Sequence, residues 1–75
     1  MKCTYRIRED EIKDEEGNLH TVYGVEAWRK NELIRSVPDV FIDKNLADYY
    51  IGLFNSLDLR LCHLDDVIED ILQEA

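Results

Sequence analysis

The chain is poor in the residues that most often carry chemistry or staple a small fold. Only two cysteines occur, Cys3 and Cys62, near opposite ends of its 75 residues. Structural zinc uses closely spaced ligand pairs such as C-x2-C, and no such pair exists here. In a reducing compartment two unpatterned cysteines read as free, half-buried thiols. No stretch approaches the roughly 18–20 consecutive apolar residues of a bilayer span. The start, Met1-Lys2-Cys3-Thr4-Tyr5-Arg6, runs into charge without the apolar core of a secretory signal. The expectation is a cytoplasmic protein with no membrane contact. No Gly-rich phosphate loop or Ser-His-Asp arrangement is present, and no cofactor is expected.

Bases are scarce as well. Nine Lys and Arg stand against 17 Asp and Glu, a net charge of 9 − 17 = −8. The excess is uneven: residues 1–16 carry four bases and six acids (−2), residues 17–45 four and four (0), and residues 46–75 only Arg60 against seven acids (−6). Direct nucleic-acid binding needs clustered Lys and Arg to neutralise phosphates, so this layout argues against it. A basic protein partner is compatible with it. A chain this short forms one domain, residues 1–75, with a small core and little room for a cleft.

What is present is a pattern. Cys3, Tyr5 and Ile7 alternate with Thr4, Arg6 and Arg8, the period of a half-buried strand. Asp14 to Asn18 is turn chemistry, and a second strand runs from Leu19 to Arg29 with Tyr23, Val25 and Ala27 on one face. Lys30-Asn31 predicts a tight turn into a third strand, Glu32 to Val37, which Pro38 is expected to end by removing a ladder donor. From Asp43, a good N-cap, the period becomes helical. Leu46, Tyr49, Tyr50, Leu53, Phe54 and Leu57 fall on one stripe, with Asn55 and Ser56 as stop signals. Leu64, Val67, Ile68, Ile71, Leu72 and Ala75 repeat the spacing in a second helix. There His63 is expected at the cap and Asp65 and Asp66 in the first turn. These elements predict an α+β domain, a three-stranded antiparallel meander with two C-terminal helices packed on one face, in the order β-β-β-α-α.

Two surfaces stand out. Asp65, Asp66, Glu69 and Asp70 crowd the second helix; the run superficially resembles a magnesium-binding aspartate motif. Such a motif also needs phosphate-binding bases and a deep cavity, so a solvated helix face explains the run better. Its like-charge pairs one turn apart each cost roughly 0.2–0.5 kcal/mol, so the helix needs its apolar stripe, a partner, or a base such as Arg60, Arg29, Lys30 or Arg35. Cys62 and His63 are adjacent and so face apart, which argues against a nucleophile–base pair; catalysis is not expected. On the sheet, Trp28 lies opposite Tyr23, Val25 and Ala27. With Val22 and the small Gly24 beside it, Trp28 is a candidate protein contact, since Trp is enriched at interfaces. Tyr49 and Tyr50 are expected in the core.

The strand Thr21-Val22-Tyr23-Gly24-Val25, Asn55 at the end of the first helix, and the run Cys62-His63-Leu64-Asp65-Asp66-Val67-Ile68-Glu69-Asp70-Ile71-Leu72 resemble a family of short clostridial-type bacterial proteins of unknown function. The matching positions are Tyr23, Gly24, His63, Leu64, Val67, Glu69 and Asp70, within residues 4–72. The resemblance implies a small soluble bacterial protein with this architecture and lends no activity. Two functions follow from the residues themselves. One is a non-enzymatic interaction module that binds an unidentified protein or a second copy of itself as a homodimer, through Trp28 and Val22 or the acidic helix. The other is an acidic mimic of nucleic acid that occupies a basic site on a partner protein.

Overall fold

A computed structural model describes residues 3–74. Strands β1 (Thr4–Lys13), β2 (Leu19–Arg29) and β3 (Glu32–Phe41) form an antiparallel sheet in the order β1-β2-β3. Helices α1 (Lys44–Ser56) and α2 (Leu61–Glu74) follow. This is the expected α+β meander with two C-terminal helices. Ala75, assigned above to the second helical stripe, lies outside the described residues.

The register places Tyr5, Ala27 and Arg35 in one cross-strand row and Ile7, Val25 and Val37 in the next. Paired residues share a face, and this face carries the core: Cys3, Tyr5, Val25, Ala27 and Phe41 from the sheet side, Ala47, Ile51 and Phe54 from α1, and Leu64 and Ile68 from α2. The two hairpins are made differently. Lys30 and Asn31 both take positive φ, 50° and 66°, the mirror-image two-residue turn that matches strand twist. The β1–β2 turn is closed by Asp14, whose backbone N–H donates to the Asn18 carbonyl at 3.0 Å. Gly17 (φ 85°) takes the left-handed position.

Pro38 does not end β3. Tyr23 pairs with Phe41 and Val25 with Val37, so Gly24 alone faces Pro38, Asp39 and Val40. The strand absorbs the proline in a bulge at the sheet edge, where a missing N–H costs no ladder bond, and Asp39 turns through φ 56°. The bulged backbone passes over Gly24 so closely that a Cβ there would stand 2.1 Å from the Val37 carbonyl oxygen.

Asp43 caps α1 as expected, its carboxylate accepting from the Asn45 N–H at 2.9 Å. The helix ends at Ser56, at the expected stop signals, with Leu57 as its C-cap. Asp58 takes φ 50°, and the N–H groups of Asp58 and Leu59 donate back to the carbonyls of Asn55 and Phe54, at 3.3 and 3.0 Å. This is a Schellman cap with an Asp in the position usually held by glycine. Asn55 has a different task. Its side-chain amide accepts from the Tyr5 N–H at 2.8 Å and donates to the Tyr5 carbonyl at 2.9 Å, standing in for one residue of a neighbouring strand on the β1 edge. The Tyr5 hydroxyl donates to the Leu59 carbonyl at 2.5 Å. Tyr5 thus ties β1 to the α1–α2 connection, and burial, then the Cys3 and Cys62 thiols, push its phenol above its usual range.

Three further expectations are corrected. α2 begins at Leu61, so His63 lies inside the first turn rather than at the cap, and Asp65 and Asp66 fall beyond the first turn. The helix dipole therefore gives them little help, since it fades within one turn. Cys62 is an exposed thiol and only Cys3 is buried. Val22, on the helix-free face and outside the core cluster, is 3% exposed, because that face is less open than its alternation suggests.

Candidate functional site

The acidic face of α2 is where the helical period puts it. Asp65, Asp66, Glu69 and Asp70 are all exposed. Arg35, one of the bases named as a counter-charge, forms an ion pair with Asp65 that ties α2 to β3. Both side chains remain well solvated, so the pair is worth well under about 1 kcal/mol. Among the described residues no group of three or more His, Cys, Asp or Glu side chains could hold a metal ion.

The helix-free face of the sheet is a self-contained polar network. The Arg6 guanidinium lies 5.1 Å over the Trp28 ring, a cation–π contact. The indole N–H donates to Glu26 at 3.1 Å. One row further on, the Arg8 Nε–H donates to Asp10 at 2.6 Å and its Nη1–H to the Ser36 hydroxyl at 2.7 Å, so its guanidinium is held above its ordinary range, chiefly by the hydrogen bond to Asp10. Trp28 is half-buried in this network. With Val22 buried and Gly24 covered by the β3 bulge, the three residues expected to form one apolar contact do not present one.

The surface that sequence reasoning missed is on α1. The helix buries Ala47, Ile51 and Phe54, a face turned by roughly 100° from the centre of the expected stripe at 3.6 residues per turn. Tyr50 packs against the core as expected, but the rest of that stripe faces outward: Leu46 is 46% exposed, Tyr49 63% and Leu57 69%, and Leu53 is half-buried without packing on the core. Tyr49, expected inside, lies on this ridge at its edge away from the core. It is held there by an edge-to-face contact with Tyr50, at 5.3 Å between centroids, and Tyr50 stacks on Phe41 at 5.5 Å. The signal was available: with Ala47 and Ile51 included, the apolar arc of α1 spans about 200°, more than one sheet face can cover. The flank of the ridge away from the core carries Asn45, Gly52 and Ser56, so the whole arc is uncharged.

The fold and these three surfaces define a small α+β domain with one apolar, one acidic and one polar-aromatic face. No protein-family model, curated protein or solved structure matches the chain. No helix among the described residues is long and apolar enough to cross a membrane.

Proposed function

We propose that the chain is a non-enzymatic protein-interaction domain whose contact face is the α1 ridge of Leu46, Tyr49, Leu53 and Leu57. The carrying observation is that Leu46, Tyr49 and Leu57, 46%, 63% and 69% exposed, lie within about 80° of one another on a helix whose neighbouring face already fills the core. Burying exposed apolar area is the main source of association energy, about 25 cal/mol per Å². A tyrosine pre-oriented by an aromatic neighbour is also a typical anchor at interfaces. In a chain with 35% charged residues, an uncharged helical arc of this width is the exception that calls for a partner. The sequence resemblance supports reading it as a small soluble bacterial protein. The acidic-mimic reading has Asp66, Glu69 and Asp70 in its favour, but Asp65 is already engaged by Arg35.

The test is a photo-crosslinking amino acid, p-benzoylphenylalanine, placed singly at positions 49, 28 and 69 of the full chain in its own cells. Adducts are expected from position 49 and not from the other two. Adducts confined to position 28 would move the contact to the sheet, those confined to position 69 would favour the acidic mimic, and none at any position would remove the reading.

A further inference from the structure

We infer that the outer edge of β1, from Ile7 to Glu11, receives an extended segment of a partner protein with Lys or Arg at alternate positions, added antiparallel as a fourth strand. This surface is separate from the α1 ridge and does not depend on it. The sheet order leaves β1 and β3 as the two edges. The β3 edge is broken by the Pro38 bulge and by Asp39 at φ 56°, and a bulge or a proline keeps a further strand from adding. The β1 edge is regular: its pairing with β2 runs without a shift from Thr4 to Lys13. Tyr5 points both its N–H and its carbonyl outward, since both bond the Asn55 amide. Outward-facing backbone groups recur at every second residue of an edge strand, so Ile7, Glu9 and Glu11 also present theirs. Among the described residues no loop or side chain covers them as Asn55 covers Tyr5.

The backbone row fixes the shape of the occupant, because donors and acceptors repeating every about 6.8 Å are matched by another extended chain. The side chains beside the row fix its chemistry. Paired residues share a face, so guest residues opposite Ile7, Glu9 and Glu11 lie on the helix side of the sheet. Glu9 and Glu11 are exposed there and form no ion pair among the described residues. Asp48 adds a third acid: it is exposed and stands two turns before Asn55, within about 20° of it on the flank of α1 that reaches this edge. Lys or Arg opposite Glu9 and Glu11, and an apolar residue opposite the half-buried Ile7, answer this pattern, since cross-strand pairs of opposite charge are stabilising. On the other face Arg8 is already bonded to Asp10, so the guest residues between need no charge. Lys13 reverses the sign and ends the match at Glu11, while Asn55 closes it at Tyr5. A second copy of this chain is a poor occupant. Centred on the same stretch, it would set Glu9 against Glu9, and like charges directly opposite are destabilising.

The experiment titrates the peptide acetyl-Thr-Lys-Thr-Lys-Thr-Val-Thr-amide, up to about 2 mM, into the full isotope-labelled chain and follows it by NMR. In antiparallel register its valine meets Ile7 and its lysines meet Glu9 and Glu11. Saturable shifts and slowed hydrogen exchange are expected at the Ile7, Glu9 and Glu11 amides. N-methylation of the second lysine, whose N–H faces β1, is expected to weaken binding at least tenfold. N-methylation of the threonine after it, whose N–H faces away, should change binding less than twofold. A peptide with Glu in place of both lysines is expected not to bind, and the Glu9→Lys/Glu11→Lys double variant to lose the original peptide. The peptide controls leave the protein untouched, so they decide the matter even if that variant folds poorly. No shift at about 2 mM, shifts confined to the acids of α2, equal effects of the two methylations, or undiminished binding of the Glu peptide would each overturn the inference. None of these outcomes bears on the α1 ridge, which is read separately by crosslinking at position 49.

Discussion

Gly24 shows how much structure one missing side chain can decide. It sits in a cross-strand position where the β3 backbone, displaced by Pro38 and by the positive φ of Asp39, crosses directly above it. A methyl group there would lie 2.1 Å from the Val37 carbonyl oxygen and 2.9 Å from the Pro38 Cα. These are backbone atoms that cannot rotate away. Gly24→Ala is expected to cost about 3 kcal/mol, at the upper end for an overpacked interior site, read as a fall in the urea midpoint at unchanged slope. Gly52→Ala, on open helix surface, is expected to add a few tenths to about 1 kcal/mol of monomer stability instead. The opposite signs separate crowding from helix propensity. Composition alone treats the two glycines alike.

At the scale of elements, the β1–β2 hairpin and α1 each depart from their sequence pattern for a local reason. Residues Glu11 to Thr21 are all exposed, so the far end of that hairpin has almost no core to hold it and depends on its turn. Asp14 supplies the hold. One carboxylate oxygen accepts from the Glu16 and Asn18 N–H groups at 2.9 and 2.8 Å, and the other meets His20 Nε2 at 2.7 Å. The hydrogen bond to His20, then those to the Asn18 and Glu16 backbone, hold the carboxyl below its ordinary value of 3.8. A carboxyl depressed in the folded state stabilises it fully above the unfolded value and loses that contribution as pH falls through the folded one. The acid-induced loss of the turn, read at the Gly17 and Asn18 amide signals, should therefore come only below about pH 3.8, where Asp14 protonates. An NMR titration checks this, and a turn that keeps its amide shifts well below that pH in the Asp14→Asn variant as in the wild type would show that it rests on something else. α1 departs in the other direction. Its six-residue stripe was legible as apolar spacing, but Ala47 and Ile51 are the residues that reach the sheet. The strong hydrophobes were therefore read as the core, and half of them are surface.

For the whole molecule the governing quantity is charge. A net −8 on 75 residues opposes compaction, and of the described ion pairs Arg8–Asp10 is half-buried while Arg35–Asp65 and, when His20 is protonated, His20–Asp14 are solvent-exposed. Exposed pairs add little and are weakened by salt. Screening the general repulsion is the larger effect, so raising sodium chloride from 20 mM to 500 mM is expected to raise the Tm by a few degrees. Circular dichroism melts at the two salt concentrations decide this. A lower Tm in high salt would mean that specific pairs outweigh the repulsion.

The order of strands and helices, the face that meets the helices, the Lys30-Asn31 turn and the Asp43 cap were all determined by the sequence itself. Each follows from short-range periodicity or from the conformational preference of one or two residues. Tertiary structure decided what those rules do not reach. It showed that β3 runs through Pro38, because a strand with a free edge tolerates a missing donor. It showed Val22 buried and Trp28 drawn into a network with Arg6 and Glu26, because cross-strand register brings their partners alongside. It turned α1 so that Ala47, Ile51 and Phe54 meet the sheet, with the Phe54 ring edge-on to Tyr5. That rotation leaves Leu46, Tyr49 and Leu57 outside, and a periodicity with two apolar faces to offer cannot say which one the sheet will take.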